Sequence, residues 1–332
     1  MDVSIAPKKV STRSVLRSDA TRKFLAFGAL IVLLVFFSLA SPYFLTFNNV
    51  IGILLATSVN GVLALGVTFV IITGGIDLSI GTGMTFSSVM SAIFCVNWGL
   101  PVWLGVLAGI GTGALAGFVS GTIISRMKVP PFITTLGIMY VAKGLSLVLS
   151  ELRPIYFNAA PGFREIAMGS LVERVIPGLE IPNAVLILFG AAFFAAFLLN
   201  RTILGRYTFA LGSNEEATRL SGVNVNFWKT MVYTVCGLFA GLGGVLMGAR
   251  LNSAQPALGQ GYELDAIAAV VIGGTSLSGG EGTVLGTIIG AFVMSVLTNG
   301  LRIMSVPQEW QTVVTGAILI VAVYMDVIRR RA

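Results

Sequence analysis

Residues 101–125 read PVWLGVLAGIGTGALAGFVSGTIIS, with no charged side chain and with Gly105, Gly109, Gly113, Gly117 and Gly121 at strict four-residue spacing. An α-helix of that length is about 37 Å long, enough to cross a hydrocarbon core of about 30 Å. Small residues let helix backbones approach closely, which matters in lipid, where apolar side chains gain little by leaving their surroundings. A four-residue row drifts by about 40° per step, so this ridge wraps around its helix and predicts different neighbours at its two ends. Gly282, Gly286 and Gly290 repeat the spacing, as do Gly237 with Gly241 and Gly244 with Gly248. Tight packing is the plain reading; seams that let helices slide in a transport cycle are the functional one.

Other runs share this character. Apolar stretches fall at 24–41, 50–73, 78–97, 131–150, 183–200, 229–250, 283–304 and 309–328, and a shorter one at 262–277 begins with Glu263 and Asp265. Of the 332 residues 55% are hydrophobic and only 11% charged, and the mean hydropathy is +0.92. A soluble domain carries about 25% charged residues, so a soluble enzyme or nucleic-acid binder is excluded as the main reading. The expectation is an all-α polytopic membrane protein of about ten transmembrane helices. The first run follows 23 residues with six bases and no clear cleavage site, so it reads as an uncleaved span.

Ten spans put both termini on one side. The segments on that side, with their boundary residues, hold fifteen of the 21 bases, including Lys8, Lys9, Arg126, Lys128, Arg201, Arg206, Arg219, Lys229 and Arg329–Arg331. The opposite side holds Arg153, Arg164, Arg174, Arg250 and Arg302, while Lys143 lies within a span. The positive-inside rule then places both termini in the cytoplasm, and eight or nine spans break the pattern. The same asymmetry accounts for the net charge of +7 without a nucleic-acid partner. The expected organisation is a basic cytoplasmic segment 1–23 and one transmembrane domain 24–328, with segment 151–182 on the outer side and segment 201–228 on the cytoplasmic side.

Several chemistries lack their residues. There is no histidine, and Cys95 and Cys236 sit far apart in apolar runs, where they read as packing residues. No Gly-Lys pair occurs, so a Walker A loop is missing and any ATP belongs to another chain.

Two runs are interrupted by similar sequences, Thr73-Gly-Gly-Ile-Asp-Leu-Ser79 and Gly273-Gly-Thr-Ser-Leu-Ser-Gly-Gly-Glu-Gly282. Glycine permits a break and Asp, Ser or Thr can cap the next helix. Asp77 is therefore read first as a cap and second as part of a substrate or ion path. A lone ammonium inside a span is costly, so Lys143 either snorkels to the interface or faces a polar cavity. Thr57, Ser58, Asn60 and Thr68 are further candidates for a path taken by an uncharged solute. Arg250, Asn252, Ser253, Gln255 and Gln260 form a polar outer stretch open to a hydroxylated solute, a partner or water. Glu263 and Asp265 suit the first turn of a helix, and Asp326 is spaced to pair with Arg329 or Arg330.

Segment 201–228 is the most informative. Ser213-Asn-Glu-Glu216 has the form of a capping box, and Gly222 can end the short helix that follows. Ala217, Leu220 and Val223 fall near one face, with Glu215, Glu216 and Arg219 around it. Such a helix suits a groove on a soluble partner, or else lies on the bilayer.

Gly212-Ser-Asn-Glu-Glu-Ala-Thr-Arg-Leu-Ser-Gly-Val-Asn-Val225 resembles the coupling segment of ribose-type ABC sugar permeases, and Gly261–Gly280 is a long, specific match to the same family. Thr73–Ser79 and Asn252–Pro256 agree, and the similarity covers roughly residues 24–328. The resemblance implies the pore of a bacterial inner-membrane importer. Two permease chains, identical or paralogous, would pair with ATP-binding subunits that hold ATP and magnesium, and a periplasmic sugar-binding protein would deliver the substrate. This chain would bind no cofactor and carry no catalytic residue. Asn214, Glu215, Glu216, Ala217, Arg219, Leu220, Ser221 and Gly222 would form the coupling helix. The family pattern has one Glu before two small residues, whereas here Glu215 and Glu216 stand together. Alternating access driven by the separate ATPase would move a monosaccharide or polyol inward. The rivals are an ion-coupled secondary transporter, which would rely on Asp77 and Lys143, and a membrane-embedded enzyme, which lacks an evident nucleophile–base set.

Overall fold

Chain breakers decide where the helices stop. In the computed structural model, which describes residues 19–331, the order is α1 (Asp19–Ala40), α2 (Phe47–Ile72), α3 (Ile80–Ala92), α4 (Val102–Arg126), α5 (Pro131–Leu149), β1 (Ile155–Tyr156), α6 (Glu165–Met168), α7 (Asn183–Arg201), α8 (Ile203–Ser213), α9 (Glu215–Leu220), α10 (Val225–Leu251), β2 (Ser253–Ala254), α11 (Tyr262–Ile272), α12 (Val284–Ile303) and α13 (Gln308–Arg331). A π-helical turn, Ile93–Asn97, extends α3. Among the described residues seven helices are long and apolar enough to cross a membrane: α2, α3 with its π-turn, α4, α5, α7, α10 and α12. Lys8, Lys9, Arg13 and Arg17 lie outside the described residues, as do the side chains of Asp326 and Arg329–Arg331.

α2, α3 and α10 form the core, with α4 packed along α10 by its glycine row. All five glycines are buried. A Cβ at Gly105 or Gly109 would overlap Cys95 or Ser91, in the π-turn and α3, whereas one at Gly113 or Gly117 would overlap the backbone of Gly237 or Tyr233 in α10. The ridge therefore changes neighbours halfway along, as its drift predicts. Ser125 bonds Thr230 at 2.8 Å and Lys128 bonds Asn226 at 3.0 Å, fastening α4 to α10 at the end where the basic loops lie. α12 is joined to α2 by Asn49–Asn299 at 2.9 Å and Thr68–Thr287 at 2.7 Å. Cys95 and Cys236 are buried, free thiols.

At the opposite end the segment after α5 is tied down. β1 pairs antiparallel with β2, Ile155 opposite Ala254 and Tyr156 opposite Ser253. Phe157 stacks on Phe163 with centroids 3.7 Å apart, and Asn252 bonds Asn158 at 2.8 Å.

α11 differs from the apolar run at 262–277. It stops at Ile272 after 11 residues, about 16 Å, because Gly273 and Gly274 turn the chain away. The backbone that continues is buried in protein, Thr275 and Ser276 being 1% exposed, which is the setting in which non-helical backbone is tolerated at membrane depth.

Candidate functional site

The two broken segments meet. α2 and α11 end in the same way: Gly74 N–H and Gly75 N–H donate to Ile71 and Val70, and Gly274 N–H and Thr275 N–H donate to Val271 and Val270. Gly74 and Gly274 both sit at positive φ, +74° and +91°, which a side chain resists. Gly280 N–H then donates to the Ile72 carbonyl at 2.8 Å, linking one break to the other.

Asp77 is 2% exposed and accepts from the Ser79 N–H at 2.8 Å and the Ser79 hydroxyl at 2.6 Å, with a third contact from Cys236. It holds the turn before α3; the residue in the N-cap position is Ser79, so Asp77 caps no later N–H of the helix. Thr283 does cap, accepting from Gly286 N–H at 3.1 Å. Asp77→Ala is expected to orphan two buried donors and to cost about 1–3 kcal/mol for each, whereas Asp77→Asn keeps an acceptor oxygen. The thermal midpoint of the purified chain in mild detergent checks this; an alanine variant as stable as wild type would refute it.

α8 sits directly against the breaks. A Cβ at Gly212 would overlap the Ile72 carbonyl and crowd Gly280 N. The cap of α9 is Asn214, whose side-chain oxygen accepts from Ala217 N–H at 2.9 Å. The capping box expected from Ser213 and Glu216 is thus replaced, because Ser213 is still the last residue of α8. Gly222 ends the segment at φ +83°.

The adjacent acids differ. Glu215 bonds Lys229 of α10 at 2.6 Å and Arg219 at 3.0 Å. Partial burial pushes the Glu215 carboxyl up, but the hydrogen bond and charge of Lys229, with Arg219 and Lys128, outweigh it and hold it below its ordinary value. Among the described residues Glu216 bonds Arg219 alone, at 3.0 Å, and its side chain is 67% exposed. Thr218 faces the bundle, while Glu216, Ala217, Arg219 and Leu220 face away, Leu220 being 80% exposed.

The residues proposed for a path have different groups to offer. Thr57 and Ser58 donate to the carbonyls of Ile53 and Leu54, one turn back in their own helix. Thr68 donates to Ala64 and meets Thr287. Asn60 Oδ1 is buried with no hydrogen-bond partner among the described residues. Lys143 Nζ donates to Gln260 Oε1 at 3.0 Å at the surface of the chain. Glu263 and Asp265 occupy the first turn of α11, and both Glu263 carboxylate oxygens accept from Gly261 N–H. Among the described residues no group of three His, Cys, Asp or Glu side chains could hold a metal ion. The spacing of the sequence hid three features: the Glu215–Lys229 pair, the β1–β2 ladder and the contact of both breaks with α8. Asn214, a strong cap beside the serine, was the one visible signal.

A helical bundle with seven membrane-length apolar helices, its backbone breaks buried in protein, is an integral membrane protein. The family described as branched-chain amino acid transport system / permease component matches residues 49–323, and the chain belongs to it. It is 44% identical over 302 residues to the ribose import permease protein RbsC of Escherichia coli (strain K12), covering 90% of this chain and 91% of that protein. It is 40% identical over 301 residues to the ribose import permease protein RbsC of Bacillus subtilis (strain 168), with coverage of 90% and 91%. Against the xylose transport system permease protein XylH of Escherichia coli (strain K12) it is 34% identical over 384 aligned positions, with coverage of 99% and 98%. No solved structure matches the chain.

Proposed function

We propose that this chain is the membrane permease of an ATP-binding-cassette importer for a monosaccharide or related polyol. The observation that carries the reading is α9: a capped helix that presents Glu216, Ala217 and Leu220 outward while α8, just before it, touches both broken segments. A partner bound at α9 is one short helix away from the backbone breaks of α2 and α11. The ribose and xylose permeases to which the chain is similar support a sugar as cargo.

In this reading ten helices span the bacterial inner membrane, α1, α11 and α13 joining the seven long ones, and both termini are cytoplasmic. Residues 24–328 form the permease domain, 151–182 face the periplasm and 201–228 the cytoplasm. Two permease chains pair with ATP-binding subunits that hold ATP and magnesium, and a periplasmic binding protein delivers the solute. Asn214, Glu215, Glu216, Ala217, Arg219, Leu220, Ser221 and Gly222 form the coupling segment. Asn60 and Lys143, which keep polar groups to offer, are the stronger candidates for the path, ahead of Thr57, Ser58, Thr68 and Asp77. Asp77 is held by Ser79, which gives an ion-driven cycle little to work with.

Co-purification tests the proposal. The chain expressed with its ATP-binding subunits is expected to retain them in mild detergent. Glu216→Lys and Leu220→Asp, on the outward face, are expected to lose them while the permease itself stays folded. Retention in both variants would remove α9 from the contact. Solute uptake by the chain alone, driven by an ion gradient, would remove the importer reading.

A further inference from the structure

We infer that Lys143 and Gln260 form a binding site for an uncharged polyhydroxylated solute, whose hydroxyl groups take the place of the bond between the two side chains. The inference rests on the importer reading and adds to it a second residue and an exchange of hydrogen bonds.

Lys143 lies twelve residues after Pro131, about 18 Å along α5, and about 9 Å from the helix's far end. A cation there must pair or face water. Among the described residues the ion pairs join Glu215 and Glu216 to Arg219 and Lys229; none involves Lys143. An ammonium has three donors, and the bond to Gln260 Oε1 uses one. The α5 surface nearby is open: Tyr140 and Val141 are exposed, and a Cβ built on Gly137 or Gly144 would meet nothing within 4 Å. A cation there either snorkels to the interface or faces water. Its bond to Gln260, on a loop packed against Gly81 and Thr85 of α3, favours the second, and in the inferred site this face of α5 lines a polar space.

Gln260 is held from both sides. Leu258 accepts from the Thr85 hydroxyl at 2.7 Å, Gly259 turns at φ +96° against Gly81, and Gly261 N–H is bound by Glu263 at 3.0 and 3.1 Å. The backbone that carries the amide is therefore fixed in advance.

The chemistry selects the ligand class. A sugar hydroxyl both donates and accepts; the ammonium offers donors, and the amide offers an acceptor and two donors. Breaking one Lys–Gln bond and forming one bond to each partner leaves the ammonium and the amide oxygen as well paired as before, without a charged ligand.

The test uses the assembled importer in proteoliposomes, with its binding protein and ATP-binding subunits, and radiolabelled D-ribose, D-xylose and ribitol as probes. Lys143→Met and Gln260→Leu are expected to lower ATP-dependent uptake about tenfold or more and to change the ratio between the probes, since a hydrogen bond to a charged group is lost. Recovery of the assembled complex should stay near wild type, and Lys143→Arg should retain most uptake. Unchanged uptake and unchanged ratios in assembled variants would overturn the site. So would a loss that follows recovery or ATP hydrolysis with the ratios unmoved, or one that follows the anionic lipid content of the vesicles, which would make Lys143 a structural or headgroup contact. A wild-type complex that takes up no probe with ATP would bring down the importer reading itself, and the site with it.

Discussion

Lys229→Glu is expected to abolish ATP-driven uptake as thoroughly as Glu215→Lys, and the double reversal is expected to restore it. The pair joins α9 to α10 at 2.6 Å, and the side chains are 17% and 37% exposed for Lys229 and Glu215. Either single reversal sets like charges against each other at a half-buried contact, which is worse than losing an exposed pair. The pair is a link within the chain, so restoration by the double variant depends on no partner residue. Uptake should fall more than about tenfold in each single variant, because the contact that ties α9 to the core is turned into a repulsion. ATP-binding subunits should stay attached better in these variants than in Glu216→Lys, since Glu216 faces outward. If Glu215→Lys releases the ATPase, Lys229→Glu does not, and the double variant fails to recover, then Glu215 contacts the ATPase itself.

The pH dependence of this link follows from the direction of the Glu215 shift. Its carboxyl is held below the usual value of 4.5, so the folded state favours the ionised form. The stabilisation is fully present above the unfolded pKa and is lost as pH falls through the lowered folded one. The α9–α10 link should thus contribute fully from neutral pH down to about 4.5, decline below that, and be lost once pH passes the lowered folded value.

Gly113→Leu is expected to prevent recovery of a folded chain, and Gly237→Leu should do the same from the other side of the seam. A Cβ at Gly113 overlaps the Gly237 carbonyl and lies within 2.7 Å of the Gly241 backbone, and a Cβ at Gly237 overlaps Gly113 in return. No flexible side chain stands between them, so the backbones themselves must part. Overpacking typically costs about 1–3 kcal/mol, and a clash of backbone with backbone belongs at or above the top of that range. Gly111, in the same helix, would meet nothing within 4 Å, so Gly111→Ala should change stability by about 1 kcal/mol or less, in the favourable direction. Monodispersity after detergent extraction and the thermal midpoint separate the two cases. A well-folded Gly113→Leu chain would show that the seam is looser than its distances imply.

These two predictions mark how far the sequence could be read. The glycine row was legible because a four-residue spacing on a charge-free run has one physical use in lipid, and even the change of neighbours follows from its drift. The short helix in 201–228 was legible from its cap residues and Gly222, although the cap proved to be Asn214. The role of Glu215 was not legible. Its partner Lys229 lies beyond a turn and a helix start, and no local periodicity links the two. The meeting of Gly74 with Ser278 and of Gly280 with Ile72 was equally hidden: similar breaks were visible, but their contact depends on how α2, α11 and α12 pack. Lys143 was conspicuous as a cation in a span, yet only the folded chain brings Gln260, 117 residues away in sequence, to its side.

The β1–β2 ladder has a practical consequence for chimaeras between permeases. Residues 151–182 look like a loop that could be exchanged alone. They are stitched to the stretch after α10 by Ile155–Ala254, by the Phe157 N–H bond to the Asn252 carbonyl and by Asn158–Asn252, while the Phe157 ring lies against Gly248. The transplantable unit is therefore two pieces of chain, 151–182 together with 248–261. Moving one without the other would cut the stitch and leave each half of it without its backbone partner.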